Sequence, residues 1–222
     1  MRSRARNAVV TVLCLAGMML ISGGCAGMGI RRPSGPLVTS SVDGKRSLAP
    51  QFSTAVYMAT DVAAAEIYLT DLPAARLVDG DDDLAGLSGS IIQMRLFIVP
   101  RAGNTPIGDT ACNITMRHIV LSARPGGGPP EVGIYGGGGF LLPGSEPGDS
   151  TVSGTVSGVT LRMLALTPGF ADLLGSAEVS GGFVAKQDDK AARGLGVRVQ
   201  RLLDRAEKIA DDQSTSIASP KE

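Results

Sequence analysis

Ile91-Ile92-Gln93-Met94-Arg95-Leu96-Phe97-Ile98-Val99 is the stretch whose pattern decides the fold. Ile92, Met94, Leu96 and Ile98 fall on one side, and Gln93, Arg95 and Phe97 on the other. Side chains alternate with period two only along a strand. The spacing predicts a half-buried strand over 91–99. Asn113 to Ser122 repeats the pattern with Ile114, Met116 and Val120, and Gly103, Pro106 and Gly108 supply a loop between the two. The pair reads as the central antiparallel hairpin.

Outward from this hairpin the same period recurs. Phe52, Thr54, Val56 and Met58 share a face. Ala65, Ile67 and Leu69 share the next, opposed by Glu66, Tyr68 and Thr70. Glu131–Tyr135 and Phe140–Leu142 read as two short strands flanking the glycine run 136–139. Residues 152–166 form a long strand with Val159, Leu161 and Met163 on one face, and 177–186 the last strand. Pro168 to Leu174 reads as one helical turn. Thr-Val-Ser-Gly occurs twice over 151–158, too short a period for a solenoid. Strands at short intervals with Gly and Pro punctuation imply a mainly β domain over 51–187, a single antiparallel β-sandwich or barrel-like fold.

After Lys186 the period changes. Leu195, Val199, Leu202, Ala206 and Ile209 recur at helical spacing, and Asp188 or Asp189 suits the start. A C-terminal α-helix over 188–212 is expected to dock its apolar stripe on the sheet. Lys190, Arg198, Arg201, Arg205 and Lys208 are expected on the solvated side. Gly194 and Gly196 each weaken such a helix by about 1 kcal/mol relative to Ala. Residues 213–222 carry no apolar pattern and read as a disordered tail.

The first 25 residues carry an address. Arg2, Arg4 and Arg6 precede an apolar run from Ala8 to Ile21, followed by Ser22-Gly23-Gly24-Cys25. A basic start, a short apolar segment and small residues before a cut are the marks of a signal peptide, here an expected helix over 1–24. About 20 apolar residues are needed to span a bilayer, so the run is short for an anchor. With cysteine directly after the small residues, the segment resembles a bacterial lipoprotein signal. That resemblance covers residues 1–25 only. It implies that Cys25 is the acylated mature N-terminus, with the lipid bilayer as partner and the cell envelope as location. Ala26, where an Asp would favour inner-membrane retention, points to the outer membrane or cell surface. Residues 25–50, rich in Gly, Pro and Ser, read as a flexible tether, in which Leu37-Val38-Thr39 has the makings of a short edge strand.

Charge and composition exclude several functions. Loss of residues 1–24 removes three arginines and no acid, so a balance of 21 bases against 21 acids becomes 18 against 21. Such a chain has no basic footprint for nucleic acid. With no Trp, three Tyr and five Phe, it is poor in aromatic anchors. Cys112, left over once Cys14 is cut away and Cys25 acylated, has no disulfide partner and reads as a small buried hydrophobe at a strand start.

The candidate sites are sparse. His118 is the sole histidine, has the parity of the buried positions of its strand, and reads as a half-buried, hydrogen-bonded sheet histidine. Asp79, Asp81 and Asp83 alternate as at the start of a calcium loop. Leu84 stands at the glycine place and Ser90 at the bidentate glutamate place, so the metal pattern is incomplete. Gly136–Gly139 lacks the Lys-Ser or Lys-Thr of a phosphate loop and reads as a bulge or close approach in the sheet. Asn113-Ile114-Thr115 has the form of a glycosylation acceptor on a buried strand. Glu66 with Asp71, and Asp109 with Glu131, are conceivable glycosidase pairs, which require a defined separation. No catalytic motif and no cofactor signature emerges. The expected function is a membrane-anchored, non-enzymatic binding or structural module of the envelope, with an envelope protein as a conceivable partner; the alternative is an envelope hydrolase whose acids lie far apart in sequence.

Overall fold

A computed structural model describes residues 37–78, 83–100 and 111–208. The described residues form ten strands and two helices: β1 (Val38–Ser41), β2 (Ser47–Leu48), β3 (Thr54–Asp61), β4 (Ala64–Thr70), α1 (Ala74–Val78), β5 (Gly89–Leu96), β6 (Ile114–Ser122), β7 (Glu131–Pro143), β8 (Thr151–Leu166), β9 (Ala177–Gln187), α2 (Asp189–Arg205) and β10 (Glu207–Lys208). The protein is mainly β, and the sheet closes on itself. Strands β3 to β9 pair antiparallel in chain order, and β9 returns to β3 through a short parallel contact of Val56 with Lys186 and Tyr57 with Gln187. The result is a seven-stranded barrel. Near the other end of β9, the edge that β3 leaves free is taken by β1, which pairs Val38–Ser41 with Ser180–Ala177 and carries β2 on its far side.

The central hairpin is present in the expected facing. Ile92 lies opposite His118, Met94 opposite Met116 and Leu96 opposite Ile114. These side chains are buried in the barrel together with Tyr57, Ile67, Leu69, Val159 and Val179. The strand ends at Leu96, however, and Ile98 is half exposed beyond it. A second apolar layer covers part of the outer wall. Leu195, Val199 and Leu202 of α2 bury against Val56, Tyr68, Ile119 and Ile134. The Asp188 carboxylate caps α2 by accepting from the Ala191 N–H at 2.9 Å.

Five expectations need correction. The glycine run does not interrupt a strand: β7 passes through it as one 13-residue strand, because backbone pairing with β6 and β8 continues on both sides. The expected bulge is there, at Gly138–Phe140. The tether is shorter than 25–50, since Leu37 and Thr39 are fully buried and Ser41 to Leu48 form a hairpin around Gly44 at φ 68°. Turn residues of a hairpin have the same composition as a linker. Residues 168–174 make a turn closed by Phe170 N–H on the Thr167 carbonyl at 2.9 Å, with no helix. The C-terminal helix stops at Arg205; Ala206 is extended, and Glu207–Lys208 pair with Leu166–Ala165 at the free edge of β8. Arg198, placed on the solvated side by its spacing, is buried and donates to the carbonyls of Leu77 at 3.1 Å and Arg76 at 3.3 Å. It thereby satisfies open carbonyls at the C-terminus of α1. Cys25, Asp79, Asp81, Asp109 and Ile209, with the signal segment and the 213–222 tail, lie outside the described residues.

Candidate binding cleft

The barrel has two unlike ends. At one, the Tyr57 hydroxyl donates to the Asp149 carbonyl and accepts from the Gly148 N–H at 3.3 Å, so the β7–β8 loop is tied across the opening. At the other, the β1–β2 hairpin and the 167–175 turn stand apart. Between them is a cleft of about 600 Å³, within the range of small-molecule sites. Leu48, Val120, Phe170 and Leu174 give it apolar walls, and Lys45 and Arg46 stand at its rim.

Each wall is held for a local reason. The Thr167 N–H donates to the Val132 carbonyl at 2.8 Å, and its hydroxyl accepts from the Val132 N–H at 2.8 Å while donating to Glu131 at 2.5 Å. That bond, with Arg124 at 2.8 Å, holds the Glu131 carboxyl below the usual carboxylate range. The turn is thus pinned to the start of β7. Phe170 lies over Gly133, where a Cβ would come within 2.1 Å of its ring. On the opposite wall, the Ser41 hydroxyl accepts from the Arg46 N–H at 3.1 Å, and the Arg46 guanidinium donates to the Leu173 carbonyl at 3.2 Å. This bond links the hairpin to the turn.

The floor is polar and internally satisfied. The Tyr135 hydroxyl donates to Asp172 at 2.6 Å, and Asp172 also accepts the N–H groups of Leu174 and Gly175. Burial, then the Asp172 carboxylate, pushes the Tyr135 phenol up. Beside Tyr135, with ring centroids 6.4 Å apart, sits His118. It is fully buried, not half-buried as its sequence context suggested. Its Nδ1 is 2.8 Å from the Thr39 hydroxyl and its Nε2 3.0 Å from the Ser90 hydroxyl. Burial pushes its pKa down to about 4. Among the described residues, no buried side-chain nitrogen or oxygen lacks a partner.

The Ser90–His118–Thr39 line has the order of an acyl-transfer relay but not its chemistry. A relay needs an anion behind the imidazole to stabilise the imidazolium that forms. Thr39 presents a neutral hydroxyl, and burial opposes the charge. The Ser90 N–H is already donated to Asp71 at 2.6 Å, so it does not face an oxyanion. The line acts as a tie that fixes β1 against β5 and β6.

The remaining sequence candidates do not converge. Glu66 is on the outer wall, accepting from the Tyr68 hydroxyl at 2.8 Å, whereas Asp71 caps the start of β5. Asp83 accepts from the Ala85 N–H at 2.8 Å in a local turn, and no group of three metal-ligating side chains occurs among the described residues. Asn113 is buried with its amide bonded to the carbonyls of Ile98 and Leu141 and its oxygen to the Leu141 N–H, so it does not present itself to a glycan. Cys112 is exposed and lies outside β6, contrary to its reading as a buried strand residue; its thiol donates to the Ile114 carbonyl at 3.2 Å. Leu48 falls in the segment read as tether, and Phe170 and Leu174 in the one read as a helical turn, whereas Val120 belongs to a strand that the alternation predicted. Leu48 and Phe170, isolated apolar residues in polar, Gly/Pro-rich surroundings, were the signal available in the sequence. No protein-family model matches the chain, and no curated protein or solved structure matches it.

Proposed function

We propose that this protein is a lipid-anchored envelope module that binds a small, largely apolar ligand in the cleft at the open end of its barrel. The cleft carries the reading: a concave, apolar-walled opening bounded by two pinned elements is the form small-molecule sites take. The interior below it is filled and its polar groups are mutually bonded, so recognition falls to the mouth. The anchor rests on the Ser22-Gly23-Gly24-Cys25 resemblance to a lipoprotein signal. Two acyl chains or more give stable attachment where one gives marginal attachment.

Two measurements test this. N-phenyl-1-naphthylamine, an apolar fluorophore, should brighten on the folded protein, and Ala171→Trp, which fills the cleft from an exposed position, should abolish the gain without changing the melting temperature. Equal brightening in both proteins refutes the cleft. Separately, Cys25→Ala should end acyl labelling and release the protein from the membrane fraction; labelling that persists refutes the anchor.

A further inference from the structure

The charges at the cleft narrow its ligand. Lys45 and Arg46 are the charged side chains that line it, and no acidic side chain does so among the described residues. Two carboxylates adjoin the lining, and both are occupied: Asp172 by the Tyr135 hydroxyl and two backbone N–H groups, and Glu131, against Gly169, by the Thr167 hydroxyl and Arg124. Asp43 pairs with Lys45 at 3.6 Å, but both ends of that pair are open to water, where such contacts contribute little. The apolar walls and the basic rim are contiguous, because the guanidinium that bonds the Leu173 carbonyl belongs to the same Arg46. We infer that the ligand is an elongated amphiphile, an acyl chain carrying an anionic head group, with the chain along Leu48, Val120 and Phe170 and the head at Lys45 and Arg46.

This inference rests on the cleft being a binding site, and the two are separable. A free fatty acid and a phospholipid share the chemistry. The experiment is displacement of N-phenyl-1-naphthylamine from the full chain carrying Cys25→Ala, with dodecanoate, lysophosphatidylglycerol, dodecyl maltoside and dodecyltrimethylammonium, all below their micelle-forming concentrations. The anionic pair should displace the probe at concentrations roughly fivefold to tenfold lower than the neutral and cationic surfactants, as two partly screened charges allow. The preference should shrink as salt rises. Lys45→Ala with Arg46→Gln, which keeps a side-chain N–H donor at the position that ties the hairpin to Leu173, should remove the preference. Tighter displacement by lysophosphatidylglycerol than by dodecanoate supports the inference with a phospholipid as source, and the reverse order supports it with a fatty acid. Equal displacement by all four head groups, or a preference that survives the double substitution, overturns the anionic head while the cleft stands. Absence of brightening in a folded protein overturns both.

Discussion

Gly137 and His118 show how much this barrel depends on single positions. Strand β8 lies so close to β7 that a Cβ at Gly137 would stand 2.0 Å from the Thr160 carbonyl oxygen, a backbone atom held in the ladder. A Cβ at Gly136 meets instead the Cδ1 of Leu164 at 2.3 Å, the end of a side chain free to rotate. Gly137→Ala should therefore prevent folding or cost several kcal/mol, against about 1 kcal/mol or less for Gly136→Ala; thermal melts of the two variants decide it. His118 sets a pH dependence. Its folded pKa, about 4, lies below the ordinary 6.5, so the unfolded chain binds a proton between these values that the folded chain does not. The His118 contribution to stability should be lost as pH drops from about 6.5 towards 4, by an amount on the order of 3 kcal/mol, and should change no further below. His118→Gln, which keeps hydrogen-bonding groups at that position, should flatten this segment of a urea-denaturation series taken across pH. An unchanged slope refutes the assignment. The histidine's parity was legible in the sequence; its two hydroxyl partners were not, since Thr39 is 79 residues away.

Helix α2 was readable by its period, and its glycines now have a reason that periodicity does not supply. Gly196 lies against the Tyr68 hydroxyl, which a Cβ would approach to 2.8 Å, and that hydroxyl bonds Glu66 and accepts from Gln93. Close approach of α2 to the barrel wall is bought at the expense of helix propensity. Gly196→Ala should thus lower the melting temperature although Ala favours a free helix by about 1 kcal/mol, and the loss should be smaller in a Tyr68→Phe background, where the hydroxyl is gone. Equal losses in both backgrounds would place the cost elsewhere. Long strands with clear alternation, β5, β6, β8 and β9, were legible because each turns every second side chain into the barrel, even where α2 also buries Ile91 and Ile119 on the outer face of β5 and β6. Leu37–Thr39, read as a short edge strand, is β1, but its closure into a hairpin with β2 and the 167–175 turn were not legible, because they are held by long-range side-chain bonds such as Arg46 to Leu173 and Thr167 to Glu131, which leave no period in the chain. The cleft lies between those two pieces over the end of β6, so it stayed hidden while the strands did not.

For the protein entire, closure of the sheet decides where function can reside. A seven-stranded ring filled by its own side chains leaves its interior to packing, and one end is tied shut through Tyr57. The open end gathers the apolar walls and the cations. Eleven residues separate Cys25 from Leu37, a covalent reach of about 40 Å at most, so the anchor proposed at Cys25 would hold the barrel near the membrane surface, from which an amphiphile would come. Sequence reading gave the mainly β class and the candidate anchor from local patterns. It left sandwich and barrel undivided because closure is a property of two residue pairs, Val56 with Lys186 and Tyr57 with Gln187, joined across some 130 positions. The binding claim is tested most directly by amide chemical-shift mapping of the Cys25→Ala chain titrated with dodecanoate. Shifts should cluster at Leu48, Val120, Phe170 and Leu174 around the open end. Shifts that gather instead on the outer wall at Gln93, Arg117 and Gly136, or none at all in a folded protein, would contradict it.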